Sequence, residues 1–156
     1  MLHTTKKGLV LSGAEGFTLI EMLVVVFIIG LLSSVVLVGL GTFRARARDT
    51  RRIADLRSVQ AMLESYWQKN GEYPASSTWT DLKQDLISAA VGVSAVPNDP
   101  LIGSIYFYGI SPNRQNYTLG AELEDPNHSA LRDDVDNTGS DNYGVDCNDP
   151  VYCLKF

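Results

Sequence analysis

The chain lacks the residue sets on which most enzymes depend. It has only two cysteines and two histidines among its 156 residues. It also has no G-x-S-x-G nucleophile elbow and no phosphate-binding glycine loop. His128 lies in residues 126–129, a turn-like stretch without a neighbouring nucleophile, and is predicted to be a surface loop residue. The sequence therefore predicts no catalytic residues, and we expect a protein that is not an enzyme.

Charge is almost absent from residues 17–41, where Glu21 is the single ionisable side chain. A helix needs about 20 apolar residues to cross the hydrocarbon core of a bilayer, so this segment is predicted to be transmembrane. A carboxylate in hydrocarbon is costly. Glu21 therefore either has a specific function or is an ordinary anchor residue whose carboxylate reaches the headgroups.

The first sixteen residues lack an apolar core and carry Lys6 and Lys7, so they are predicted to be a basic leader. A secretory signal peptide is cleaved after its apolar region, behind small residues. Here the junction between polar and apolar sequence, Gly16 followed by Phe17, comes before the apolar region. The leader therefore differs from an ordinary secretory signal peptide.

This junction resembles the leader of type IV pilins and type II secretion pseudopilins: residues 16–21 read GFTLIE, between a basic flank and a long apolar run. The resemblance implies that a prepilin peptidase cleaves between Gly16 and Phe17 and that the new amine of Phe17 is methylated. It also implies that Glu21 pairs with the terminal amine of a neighbouring subunit. Opposite charges attract strongly in a medium of low dielectric constant, which favours such a pair.

The resemblance also implies partners and a location. The subunit would polymerise with copies of itself or in a mixed filament, driven by an assembly ATPase through a platform membrane protein. It would be stored as a single-pass precursor in the bacterial inner or cytoplasmic membrane, with its soluble head outside the cytoplasm. The final location would be a periplasmic or cell-surface filament.

Apolar residues continue at helical spacing beyond the apolar run, at Ile53, Leu56, Val59, Leu63 and Tyr66. This spacing predicts an amphipathic helix whose one face packs on a domain core. The chain is thus divided into four segments. They are a cleaved leader (1–16), a transmembrane and polymerisation helix (17–41), its amphipathic continuation (42–70), and a globular head with a C-terminal acidic loop (71–156).

The head is predicted to be α+β and pilin-like, with a small antiparallel sheet packed on the long helix. A short helix is expected over residues 81–90, capped by Thr78 or Thr80. Strands are expected over residues 105–110, 116–123 and 151–154, the first two joined as a hairpin.

Basic residues cluster just past the apolar run, at Arg44, Arg46, Arg48, Arg51, Arg52 and Arg57. The positive-inside rule favours a cytoplasmic location for such a cluster, which conflicts with the topology that the resemblance implies. Three interpretations remain open: a solvated helix face, contacts with acidic surface on adjacent subunits, or nucleic-acid binding. The chain is acidic overall and has no aromatic residues among these arginines, so nucleic-acid binding is not expected.

Cys147 and Cys153 are predicted to form a disulfide if the head is exported, because disulfides form outside the cytoplasm. In a cytosolic protein the same pair would be reduced or bound to a metal.

The acidic C-terminal loop contains a candidate calcium site, formed by Asp133, Asp134, Asp136 and Asp141. Position twelve of an EF-hand would fall on Val145, so an EF-hand is not expected. The alternative is a solvated acidic loop on the filament surface.

Together these observations predict a structural subunit of a type IV pilus-like or type II secretion pseudopilus filament. The alternative is a membrane-anchored module that binds calcium or another ligand and never polymerises.

Overall fold

The computed structural model describes residues 16–136 and 141–156, the side chains of residues 35–40 excepted. The predicted leader therefore lies almost wholly outside the described residues. The chain divides into two compact units, residues 1–40 and residues 41–156.

Within the described residues there are two α-helices, one short 3-10 helix and three strands: α1 (Leu19–Asn70), α2 (Trp79–Ser88), β1 (Phe107–Ile110), β2 (Tyr117–Glu122), the 3-10 helix (Ser129–Arg132) and β3 (Val151–Lys155). The strands form one antiparallel sheet in the order β1-β2-β3. The α+β class predicted from the sequence is confirmed.

In the first unit, the start of α1 is apolar on all sides. Leu19, Ile20, Val26 and Phe27 each expose more than half of their surface. Among the residues that the structure describes, no helix is both long enough and apolar enough to span a membrane.

In the second unit, α1 contributes one face to the core. Leu56, Val59 and Leu63 are fully buried, and Ile53 and Tyr66 pack against them, as the spacing predicted. The sheet covers this face with Tyr117 and Leu119 of β2 and Tyr152 of β3. Hydrophobic burial between one helix face and one sheet face therefore organises the second unit.

Two acids on α1 also bond to tyrosine hydroxyls of the head. Tyr106 donates to the Asp55 carboxylate at 2.8 Å, and Tyr73 donates to the Glu64 carboxylate at 2.9 Å. These bonds satisfy polar atoms at the border of the core and tie the segments at Tyr73 and just before β1 to the helix.

The element boundaries differ slightly from those predicted. Thr78 rather than Thr80 caps α2, since its hydroxyl accepts from the Asp81 N–H. The helix ends at Ser88, two residues earlier than predicted. β1 begins at Phe107 and not at residue 105, and β3 extends one residue further, to Lys155. The 3-10 helix was not predicted; the Nδ1 atom of His128 accepts the Ala130 N–H at its start.

The C-terminal loop lies directly on the sheet because two strand positions carry no side chain. A Cβ atom on Gly109 would lie 2.5 Å from the Tyr143 carbonyl oxygen, and one on Gly120 would lie 3.0 Å from Val145. Val145, Cys147 and Cys153 form a second buried cluster beside these glycines. Glycine at residue 109 is therefore required for the close approach.

We predict that Gly109→Ala destabilises the second unit by about 1 to 3 kcal/mol, because the new methyl group displaces the loop backbone. Thermal unfolding of the detergent-solubilised full chain, followed by circular dichroism, measures this. Gly41→Ala is the matched control, since a Cβ there meets nothing within 4 Å. Equal melting temperatures for the two variants would contradict the prediction.

Candidate assembly site

The N-terminal site is built on a reciprocal helix cap. The N–H and the hydroxyl of Thr18 both donate to Oε2 of Glu21 at 2.8 Å, and the Glu21 N–H donates to the Thr18 hydroxyl at 3.4 Å. This is a capping box, in which a threonine before the first turn and an acid three residues later satisfy each other's backbone donors. The T-x-x-E spacing is a known signal for this cap, and it could have been found in the sequence.

Glu21 keeps one oxygen available for another donor. Both Thr18 bonds go to Oε2, and Oε1 accepts no hydrogen bond from the described residues. The carboxylate lies in an apolar cavity of about 370 Å³ lined by Phe17, Ile20, Val24 and Val25. Phe17 itself is 79% exposed. The arrangement can accept a cation at an apolar surface.

A second polar site lies in the other unit, where Arg52 is buried with acids on three segments. Its guanidinium donates two bonds to the Asp99 carboxylate, at 2.7 and 2.9 Å, and a third to Asp49 at 2.7 Å. A further bond of 2.9 Å reaches Glu124. The side chains of Arg52, Asp49 and Asp99 are no more than 2% exposed. We call these four residues the Arg52 cluster.

The acids of the Arg52 cluster also accept hydrogen bonds from groups other than Arg52. Asp49 accepts the backbone N–H groups of Glu124 and Asp125, at 2.9 and 3.0 Å. Arg48 forms two bonds of 2.6 Å with the Glu124 carboxylate. The bonds from Arg48, and then the single bond from Arg52, lower the pKa of Glu124 to about 2. Glu124 therefore stays ionised in mildly acidic solution, and the cluster keeps its charges.

These pairs correct the interpretation of the arginine cluster as a solvated face only for the buried Arg52 and the half-buried Arg48, since the other four arginines are exposed. Arg52 is buried, and Arg46, Arg48 and Arg51 pair with acids of their own chain. The positive charge that opposes the predicted topology is thus partly neutralised within the head.

The C-terminal loop places the two cysteines in a disulfide. Cys147 and Cys153 are joined, with their Cα atoms 5.8 Å apart, and both side chains are buried. Because Cys153 lies on β3, the bond ties the loop to the edge of the sheet.

Three carboxylates converge beside this disulfide. Single oxygens of Asp134, Asp136 and Asp149 lie within 4.8 Å of one another. Oδ2 of Asp134 accepts the Cys153 N–H at 2.8 Å, whereas its Oδ1 is buried without a partner among the described residues. Burial raises the pKa of Asp134 above its usual value, and the Asp136 and Asp149 carboxylates raise it further.

The structure thus brings together only part of the predicted calcium set. Asp134 and Asp136 are in the group, whereas within the described residues Asp133 and Asp141 are not. Residues 137–140, which the predicted loop includes, lie outside the described part of the chain. Asp149 was missed because it is far from Asp134 in sequence; it lies just before β3, whose Cys153 N–H bonds to Asp134.

Comparison with known proteins identifies the family. A family model described as a prokaryotic N-terminal methylation motif matches residues 11–37, which include the GFTLIE sequence. The type II secretion system core protein G of Klebsiella pneumoniae is 31% identical over 105 residues, which are 67% of this chain and 73% of that protein. The chain belongs to the family of type IV pilins and type II secretion pseudopilins.

Other relatives of this pilin-family chain cover less of it. A fimbrial protein of Neisseria meningitidis is 33% identical over 64 residues, which are 41% of this chain and 38% of that protein. A fimbrial protein of Pseudomonas aeruginosa is 30% identical over 76 residues, 49% of each chain. The chain thus spans about two fifths to one half of the length of these fimbrial relatives. No solved structure matches it significantly.

We predict that Arg52→Ala destabilises the pilin head by about 3 to 5 kcal/mol, because it leaves the Asp49 and Asp99 carboxylates buried and uncompensated. The neighbouring Arg51→Ala is the control. Its side chain is 64% exposed and pairs with Asp55 at 3.7 Å, so its loss is expected to cost less than about 1 kcal/mol. Urea unfolding of the solubilised chain measures both; equal midpoints would contradict the prediction.

Proposed function

We propose that this chain is a structural subunit of a filament, processed between Gly16 and Phe17 and polymerised through the first part of α1. The observation that carries the proposal is the match of a methylation-motif family model to residues 11–37. In the sequence Glu21 follows Phe17 by four residues, which is about one helical turn. The similarity to core protein G over 73% of that protein supports it. The role is structural and not catalytic.

The geometry of Glu21 supports a specific part in assembly. Cleavage releases a cationic amine at Phe17, and Oε1 of Glu21 is available for it. We propose that the amine of one subunit pairs with Glu21 of its neighbour. Because each charge neutralises the other in an apolar environment, the pair fixes the axial position of one subunit against the next.

Membrane storage and export complete the proposal. The apolar first part of α1, exposed on all sides, supports a transmembrane precursor with residues 17–41 in the bilayer. The Cys147–Cys153 bond supports a head outside the cytoplasm, where disulfides form. Prepilin peptidase, an assembly ATPase and a platform membrane protein are the proposed partners.

Between the two kinds of filament, we propose the secretion pseudopilus. Core protein G of Klebsiella pneumoniae is covered to 73% of its length, against 38% and 49% for the two fimbrial proteins. A second core protein G, from Pectobacterium carotovorum, is 34% identical over 62 residues.

A second proposed function is calcium binding by Asp134, Asp136 and Asp149. Ca²⁺ binds oxygen ligands at about 2.4 Å, so opposite ligands lie about 4.8 Å apart. The three oxygens fit that spacing. Oδ1 of Asp134 is buried without a partner among the described residues, which is unfavourable, and a bound ion would give it one. The ion would neutralise carboxylates that repel one another and hold the loop against β3.

We predict that Glu21→Gln abolishes filaments while the protein remains processed and membrane-bound. Glutamine also forms capping boxes, so this variant removes the charge and keeps the helix cap. Because breaking a buried ion pair costs about 3 to 5 kcal/mol, filaments sheared from cells should fall to less than about a tenth of the parent level.

Thr18→Ala is the converse control for this experiment. It removes the hydroxyl that bonds to Oε2 and leaves the charge of Glu21 in place, so filaments should persist. Normal filaments from Glu21→Gln would refute the assembly mechanism and favour a non-polymerising membrane-anchored module.

We predict that millimolar calcium raises the melting temperature of the parent by about 5 °C and that Asp134→Asn loses this shift. The asparagine side chain keeps an oxygen for the Cys153 N–H. Asp133→Asn is the matched control, because the adjacent Asp133 is outside the carboxylate group, and it should keep the shift. If millimolar calcium leaves the melting temperature of the parent unchanged, the proposed calcium site is refuted.

A further inference from the structure

Two exposed arginines of α1, Arg44 and Arg57, form no ion pair with an acid of the described residues. The other four arginines of this region pair as follows: Arg46 with Asp125, Arg48 with Glu124, Arg51 with Asp55, and Arg52 within its cluster. Arg57 is exposed and forms no ion pair within residues 16–136 and 141–156. It is surrounded on the helix surface by the short exposed side chains of Ala54, Ser58 and Ala61. A second molecule can therefore approach Arg57 closely.

An exposed acid of the sheet is also left without a cationic partner. Glu122, at the end of β2, is exposed, and no Lys or Arg of the described part of the chain pairs with it. It lies between two adjacent cavities of about 630 and 540 Å³, and Pro150 lines both of them. Trp79 and Tyr106 line the first cavity, and Leu101 and Leu123 line the second. We call this surface the Glu122 groove.

The groove suits a guanidinium group. A planar guanidinium bonds a carboxylate through two N–H groups, which a lysine ammonium does not. Asp149 also lines the first cavity, so the groove carries negative charge of its own. Charge complementarity therefore favours a cationic side chain as its occupant.

Arg57 and the Glu122 groove lie on different flanks of the same head. Tyr106, a wall of the groove, bonds to Asp55 of α1. Arg57 follows Asp55 by two residues, which is about 200° around a helix of 3.6 residues per turn. Arg57 therefore points away from the groove, and the two cannot meet within one chain.

We propose that Arg57 of one copy binds in the Glu122 groove of a second copy. The proposal rests on the filament function proposed above and assigns a contact between heads. Because the two surfaces differ and lie on different flanks, the contact is heterologous. A heterologous contact that does not close into a ring repeats along an open helical assembly, which is what a filament needs.

Charge reversal in the full chain, expressed with its native assembly machinery, tests the contact. Arg57→Glu and Glu122→Arg should each lower the yield of sheared filaments about tenfold or more, because each places like charges together at every repeat. The double variant Arg57→Glu with Glu122→Arg should recover most of the parent yield. Both residues are exposed, so melting temperatures should stay near that of the parent.

A matched double variant controls for net charge. Arg132→Glu with Glu122→Arg has the same formal charge as the swap, and Arg132 is likewise exposed and without an ion pair among the described residues. It should stay at the level of Glu122→Arg alone. Parent-level yields from both single variants, or equal recovery by the two double variants, would overturn the contact.

The test of this contact can fail independently of the test of the proposed filament function. If Glu21→Gln abolishes filaments while Arg57→Glu and Glu122→Arg assemble normally, only the contact between heads is wrong. If Glu21→Gln assembles normally, the proposed assembly mechanism fails whatever Arg57 does.

Discussion

The head depends on one buried cation. Arg52 lies on the helix face that packs against the core, and its guanidinium binds acids from α1, from the loop before β1 and from the chain after β2. Removing a guanidinium from water is costly, and the cost is offset only when several hydrogen bonds replace the lost hydration. Four bonds do so here. The cluster therefore holds the loop before β1 and the chain after β2 in one arrangement on α1. Apolar burial alone would be compatible with several arrangements.

How well the sequence predicts the structure depends on how far apart along the chain the interacting residues lie. The buried face of α1, the hairpin of β1 and β2 and the α+β class were readable from periodicity and turn residues, because they depend on neighbours along the chain. Arg52 bonds Asp99 and Glu124, which lie 47 and 72 positions away. The arginines were therefore visible as a charged cluster, but their partners were not.

The same distinction applies to the candidate sites. The residues at the N-terminal junction, Gly16, Phe17 and Glu21, form a local motif, and the family comparison covers them. The acidic loop was predicted from composition, and its geometry differs: Asp149 joins Asp134 and Asp136 only because β3 returns beside the loop. The close approach that allows this depends on Gly109, whose role a single sequence does not reveal.

The capping box at Thr18 and Glu21 bears on the energetics of polymerisation. Within a single chain the Glu21 carboxylate is already hydrogen-bonded to Thr18, so the chain tolerates this acid without a second copy. In the proposed assembly, the amine of a neighbouring subunit would therefore add an ion pair to a carboxylate that already has hydrogen bonds. The cap thus lowers the free-energy cost of the acid in an unassembled chain, so the proposed pair would contribute less free energy than a pair made by a bare carboxylate.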